Sequence, residues 1–326
     1  MSRWLEFAAV RALAGIVRLF PMPVARATGA AFGRAAYAID RVHRRTALDN
    51  LANAFPSKSP DEHRALARAM FGHFGSLLLE LMKFAGLSRD EMLRRIECEG
   101  EERVWQAHQR GCGVLFFTGH FGYWELHAIA HPLRFRPISV LARPLDNLRL
   151  HDLLEDMRTR TGNSVIYRQG AIRKVLRELS ANRGIAVLID QHLHTPDAVY
   201  VDFFRRPAAT TSALAALALR TGAPVIPVFA LPLPHGRYRF VYEHPVEPPD
   251  GDSPDAVREF TQRCTDVLEM YVRRHPELWL WMHRRWRDRE PALAGSELSL
   301  DELRTEPEPE REPRTEPEHE PRTENS

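Results

Sequence analysis

Cysteine is scarce in this chain: three residues in 326, Cys98, Cys112 and Cys264, far apart and odd in number. Such spacing builds neither a disulfide framework nor a zinc site of the CxxC type, and it suits a reducing compartment. Long uncharged apolar runs are missing as well. The most apolar stretch near the start, Trp4 to Phe20, is interrupted by Glu6, Arg11 and Arg18, so it falls short of the ~20 residues that span a bilayer. Glu6 breaks its early part and no small-residue cleavage site follows, so it does not read as a signal peptide either. Net charge is nearly absent, at +2. With 44% hydrophobic and 27% charged residues, collagen-like and wholly disordered chains are excluded, and one large domain or two small ones are expected.

The charge balance conceals two regions. From Ser299 to Ser326 four Arg stand against ten Asp and Glu, net −6, which leaves +8 on residues 1–298. In that tail RTEPE recurs at Arg304 and Arg314, EPRTE recurs at Glu312 and Glu320, and apolar residues almost vanish. A segment with so little to bury cannot offset the entropy of ordering, so 299–326 is expected to be disordered and solubilising. The basic body suits an anionic partner: a membrane surface, phosphorylated metabolites or nucleic acid. No nucleic-acid motif accompanies the charges, and nucleic acid is not expected.

As a helix, Trp4 to Phe20 puts Arg11 and Arg18 on one face and Leu5, Leu13, Ile16, Leu19 and Phe20 on the opposite side, with Glu6 out of place. The pattern fits residues 1–21 as an amphipathic helix in a membrane interface, and equally a helix packed on the protein's own core. Residues 42–86 read as helical with a break at Pro56 and Ser57, and Ser59-Pro60-Asp61-Glu62 is a helix start. Past Gly111, apolar runs at Val114 (VLFFT), Ile138 (ISVLA), Ile185 (IAVLI) and Ala223 (APVIPVFAL) alternate with helical stretches at Leu148–Thr161, Ala171–Asn182 and Ser212–Arg220. That alternation indicates an α/β sandwich with a largely parallel sheet. YRFVYEHPV at Tyr238 alternates and predicts a later, more exposed strand, and Asp255–Arg274 predicts another amphipathic helix. With no boundary in between, 22–298 is taken as one catalytic domain.

Chemistry concentrates at VLFFTGHFGYWEL. His120 lies just past an apolar strand, between Gly119 and Gly122, with Glu125 five residues on. Strand ends of α/β folds are where sites gather, and a histidine can take a hydroxyl proton near neutral pH while a carboxylate fixes its tautomer. Spacing alone is weak, since about two His with an acid at +5 arise by chance in such a composition. His151, His192, His283 and His319 share it, but only His120 has the strand, turn and glycine context.

GHFGYWE resembles the histidine-x4-glutamate motif of the bacterial lipid A late acyltransferases, within the lysophospholipid acyltransferase superfamily. Further stretches resemble that family in order: RRTALDNLANAFP at Arg44, HFGSLLLELMKF at His73, VLARPLDN at Val140, LIDQH at Leu188, FFRRPAATTSALAALALRTGAPVIPVF at Phe203, and WLWMHRRW at Trp279. The resemblance implies a glycerol-3-phosphate acyltransferase-like fold and acyl transfer from an acyl carrier protein or coenzyme A thioester to a hydroxyl of a lipid A precursor or related glycolipid. His120 would be the general base and Glu125 its partner. Arg143 would grip a phosphate of the acceptor or of the carrier's phosphopantetheine, and Asp190 and Gln191 would orient the acceptor or shape the site wall. No cofactor is implied. A lysophospholipid, an ornithine lipid or a mannosylated phosphoinositide is an alternative acceptor, and a non-catalytic lipid-binding protein the alternative of another class. Arg205 after Phe203-Phe204, and His192 after Asp190-Gln191, depart from the family pattern. Asp190, His192 and His194 alternate as a metal face would, yet proton transfer by histidine needs no metal and none is expected. The expected place is the cytoplasmic face of the bacterial inner membrane, with Arg11, Arg18, Arg44, Arg45 and the WMHRRW stretch against anionic lipids.

Overall fold

The computed structural model describes residues 3–167, 171–193, 198–250 and 255–287. His194 and the tail 299–326 lie outside them.

Five helices lead: α1 (Arg3–Leu19), α2 (Met22–Ile39), α3 (Arg41–Ala54), α4 (Pro60–Phe84) and the short α5 (Arg89–Arg94). The helix start read at Ser59 is a full capping box: the Ser59 hydroxyl accepts from the Glu62 amide while the Glu62 carboxylate accepts from the Ser59 amide. α2 and α4 cross at backbone contact. A β-carbon added at Gly33 would stand 1.9 Å from the Phe71 carbonyl oxygen, so only glycine allows this approach.

The sandwich follows as β1 (Ile96–Glu99), α6 (Glu101–Gln109), β2 (Val114–Thr118), α7 (Trp124–Ala130), β3 (Ile138–Ala142), α8 (Leu148–Thr159), β4 (Ser164–Tyr167), α9 (Ala171–Ser180), β5 (Gly184–Leu188), β6 (Ala198–Phe203), β7 (Arg206–Thr211), α10 (Ala213–Thr221), β8 (Val225–Leu233), β9 (Arg237–Tyr242) and α11 (Ala256–Arg274). Seven strands form one sheet in the order β1-β9-β8-β2-β5-β3-β4, parallel except between β8 and β9. The mostly parallel α/β architecture expected from the alternating runs is the one observed. All of β2 is buried, as a central parallel strand covered on both faces must be. Its alternate residues feed two cores: Leu115 and Phe117 face α9, α10 and α11, while Val114 and Phe116 face α7.

The strand at Tyr238 departs from expectation. β9 lies between β8 and β1, and Tyr238, Phe240, Val241 and Tyr242 are buried, because the short β1 covers what would otherwise be an edge. Phe204 and Arg205 form the two-residue link of the β6–β7 hairpin with φ of 55° and 58°. Both sit in the left-handed region that such tight hairpins demand and glycine prefers, so the departure at Arg205 falls on a turn. Phe204 is held by its amide donating to Glu269 and by the Arg273 guanidinium over its ring.

α1 packs on the helical bundle along part of its surface. Ala14 and Val17 pack with Ala25, Leu79 and Met82, while Trp4, Leu5, Ile16, Leu19 and Phe20 remain exposed. Among the described residues no helix is long and apolar enough to cross a membrane.

Gly33→Ala gives a prediction whose sign is set by packing. Alanine gains up to about 1 kcal/mol in helix propensity, but moving α2 off the Phe71 carbonyl costs about 1–3 kcal/mol. Thermal unfolding should therefore shift downward; an unchanged or raised Tm would contradict the close contact.

Candidate active site

The turn after β2 is held from three sides. The Tyr123 amide donates to the Ala230 carbonyl of β8 (2.9 Å), the Gly122 amide to Leu278 (2.9 Å), and the Leu280 amide to the His120 carbonyl (3.1 Å). Gly122 takes φ of 58°, and a β-carbon there would meet the Ala230 oxygen at 2.1 Å. From beneath, the buried Glu80 carboxylate of α4 accepts from the Tyr123 hydroxyl (2.8 Å), the Tyr238 hydroxyl and the Arg26 guanidinium (2.7 and 2.9 Å). The His73 ring donates to the Gly122 carbonyl (3.1 Å). The apolar strand, the glycine turn and the helix bundle thus fix where His120 points.

Parallel pairing of β2 with β5 sets Thr118 opposite Leu188, and so brings Asp190, two residues past β5, beside His120, two residues past β2. His120 Nδ1 lies 2.8 Å from Asp190 Oδ1, while Asp190 Oδ2 accepts from the His120 amide (2.7 Å) and the Trp279 indole (2.8 Å). Asp190 is buried, which alone would raise its pKa; the His120 charge and the hydrogen bonds from His120 and Trp279 outweigh burial and bring it down to about 2. For His120 burial works against the cation, and the ionised Asp190 overrides it, so its pKa stands above the ordinary histidine value. With Nδ1–H donated to Asp190, Nε2 is the basic nitrogen, and the Gln191 side-chain amide lies 3.3 Å from it.

Glu125 is not the partner of His120. At the start of α7 it receives the Arg158 guanidinium of α8 in a bidentate pair, Nε at 2.9 Å from Oε2 and Nη2 on Oε1. Five residues on from His120, beyond a turn that enters a helix, Glu125 points to the neighbouring helix, and only its field reaches the imidazole. The carboxylate that fixes the ring is Asp190, which the sequence suggested for orienting the acceptor or shaping the site wall. Arg158 and Trp279 carry roles that local pattern did not signal.

His120, Glu125, Arg158, Gln191 and Arg143 all line one cavity of about 540 Å³; Arg143 is exposed at its rim and Asp190 stands behind His120. Arg285 is not on a lipid-facing surface. It is buried, donating to the Gln191 carbonyl (3.2 Å), the Ala209 carbonyl (2.5 Å) and the Thr210 hydroxyl, which ties the loop after β5 to β7. The His192 amide donates to His283 Nε2 (2.9 Å). Among the described residues no group of three His, Cys, Asp or Glu could hold a metal.

A base held by a buried carboxylate, facing an apolar cavity with arginines at its wall and rim, can activate a hydroxyl. The family model described as bacterial lipid A biosynthesis acyltransferase matches residues 1–288. Among curated relatives, the lipid A biosynthesis myristoyltransferase of Escherichia coli K12 is 24% identical over 88% of each chain. The lauroyltransferase of the same organism is 25% identical over 88% of this chain and 92% of its own. The phosphatidylinositol mannoside acyltransferase of Mycolicibacterium smegmatis is 24% identical over 81% of this chain and 86% of its own.

Replacing Asp190 with Asn removes the charge that favours the imidazolium. The His120 pKa, followed by NMR of its ring protons, should fall in Asp190→Asn; an unchanged value would contradict the dominant coupling assigned to this pair.

Proposed function

The chain belongs to the bacterial lipid A biosynthesis acyltransferase family and is an acyltransferase, and from that premise we propose the following reaction. It moves a fatty acyl group from an acyl thioester, on acyl carrier protein or coenzyme A, to a hydroxyl of a lipid A precursor or related glycolipid. The observation that carries the mechanism is the His120–Asp190 pair, which leaves Nε2 at the cavity. His120 Nε2 takes the proton of the acceptor hydroxyl as the oxygen attacks the thioester carbonyl. The tetrahedral oxyanion collapses, the C–S bond breaks, and the thiolate takes the proton back from the imidazolium, leaving ester and free thiol. No covalent acyl-enzyme is required.

The oxyanion needs donors already in place. The Thr118 hydroxyl, which lines the cavity and has no partner among the described residues, and the Gln191 amide are at hand. Glu125 acts as a positioning residue that holds Arg158 in the cavity wall, and Arg143 at the rim meets a phosphate of acceptor or donor. A mannosylated phosphoinositide is the second acceptor reading, supported by the mycobacterial relative at an identity equal to that of the myristoyltransferase.

Docking on a membrane surface follows from the same edge of the molecule. Asn147, in the loop from the cavity rim to α8, donates to the Arg3 carbonyl (3.0 Å) and the Glu6 carboxylate (2.9 Å) of α1. The exposed Trp4, Leu5, Leu145 and Leu148 belong to these two joined segments, and large apolar side chains left in water mark a contact surface. Exposed Arg11 and Arg18 on α1 supply attraction to anionic headgroups.

His120→Ala should lower acyl transfer by about 10²- to 10⁴-fold without unfolding, and Glu125→Ala should lower it by displacing Arg158. Full activity in both, measured with radiolabelled acyl donors, would refute the mechanism. Since the base must be neutral, activity should decline on acidification through a pKa above that of free histidine; an acid limb below the ordinary histidine range would contradict the Asp190 coupling. For the membrane surface, Trp4→Glu with Leu5→Glu should reduce sedimentation with anionic vesicles while the Tm holds, because neither side chain is in the core. Undiminished sedimentation would count against it.

A further inference from the structure

The cavity does not end at His120. It continues as an arm between the sheet and α7, with a floor of Phe116, Ile138, Val140, Ala186 and Val228 and a roof that includes His127 and His131. On the strands, Val228 lies level with Thr118, Val140 and Ala186 lie level with Phe116, and Ile138 lies two residues further down; Phe116, two residues before Thr118, is about 7 Å deeper. An apolar extension of the cavity beside a base suits a linear chain threaded end first.

Its roof is not apolar throughout. His127 and His131 are 4% and 3% exposed, and Nε2 of each lacks a hydrogen-bond partner among the described residues. His131 Nδ1 is engaged with the Tyr242 hydroxyl at 3.0 Å, and its ring lies 5.0 Å from that of Phe116, which sets its depth. Burial holds His127 near a pKa of about 3, and burial with the neighbouring His127 and His108 holds His131 well below the usual value. Burial thus disfavours the cation of both rings. Whichever tautomer His131 adopts, Nε2 either donates or accepts, and a hydroxyl can answer both. A buried polar atom left unpaired is unfavourable, so a chain that satisfies it is preferred over one that does not.

Resting on the acyltransferase reading, we propose that this arm holds the transferred acyl chain and that His127 and His131 select chains carrying a hydroxyl several carbons from the thioester. The depth of Phe116 places that hydroxyl mid-chain, away from the reacting carbonyl at the mouth.

The test separates binding from turnover. The full chain carrying His120→Ala is titrated calorimetrically with myristic acid and with myristic acids hydroxylated near the carboxyl, mid-chain and at the far end. A mid-chain hydroxyl should tighten binding by about ten-fold or more, and that preference should vanish in His127→Phe. His131→Phe should lose it too, but strands the Tyr242 hydroxyl. His127→Phe, whose described ring contacts are with His131, Phe240 and Tyr242, is the cleaner variant, and its Tm checks folding. Equal binding of plain and hydroxylated chains, a preference that survives His127→Phe, or no binding of any fatty acid would each overturn the proposal. A wild-type chain that transfers no acyl group from any thioester would instead remove the acyltransferase reading, while the binding preference would still be measured on its own terms.

Discussion

Asp190 is the residue on which the site's geometry rests. One buried carboxylate accepts three hydrogen bonds, two from His120 and one from Trp279, and so joins the ends of two parallel strands to the segment after α11. A buried charge is stable only when paired and hydrogen-bonded, and here every partner is also a structural tie. The His120 amide donates to the same carboxylate as its own ring, so backbone and side chain are fixed together. Rotation of the imidazole away from Asp190 would leave one carboxylate oxygen without its donor in a dry environment, which keeps the base in register.

A second buried carboxylate works from the other side of the turn. Glu80 gathers Tyr123, Tyr238 and Arg26, drawing α2, α4 and β9 toward the residue three beyond His120. Arg26 donates in addition to the Leu233 carbonyl, so the helical N-terminal portion is bonded to the end of β8. The helices are thereby part of the scaffold of the site. Their close crossing at Gly33 brings Glu80 within reach of the turn, and the capping box at Ser59 fixes where α4 begins.

Much of this was legible in the residues. Apolar runs located β2, β3, β5 and β8, since a parallel sheet covered on both faces writes itself as continuous hydrophobic stretches. The glycine turn singled out His120. What was not legible was its partner: Glu125 is near in sequence, whereas Asp190 arrives through the pairing of β2 with β5, seventy residues away, and no local spacing encodes which strands become neighbours. The same reason hid the burial of β9, whose alternation reads as a half-exposed strand until β1 covers it. Arg285 looked like surface charge within an arginine-rich stretch; its burial depends on carbonyls from two other segments. The tail, and His194 with the metal face it would complete, lie outside the described residues.

Histidines show how one residue type is divided between roles by its surroundings. His127 is buried, His73 and His283 are partly buried, and all three are held at pKa values of about 3 to 4, because removal from water penalises their cations. His120 is also partly buried, yet its pKa moves the other way. The difference is the counter-ion: His283 feels Asp190 only through space, whereas His120 shares a hydrogen bond with it. Burial therefore does not distinguish a functional histidine in this fold; a bonded carboxylate does. A neutral imidazole that gains a proton during a reaction needs that carboxylate already in place, and His120, lining the cavity, has it in Asp190. His151, which also lines the cavity, sits 3.4 Å from the half-exposed Glu155 on its own helix, where water competes for both groups. In the proposed reaction proton transfer is thus confined to the mouth, and the rings deeper in the cavity are proposed to recognise polarity without charge.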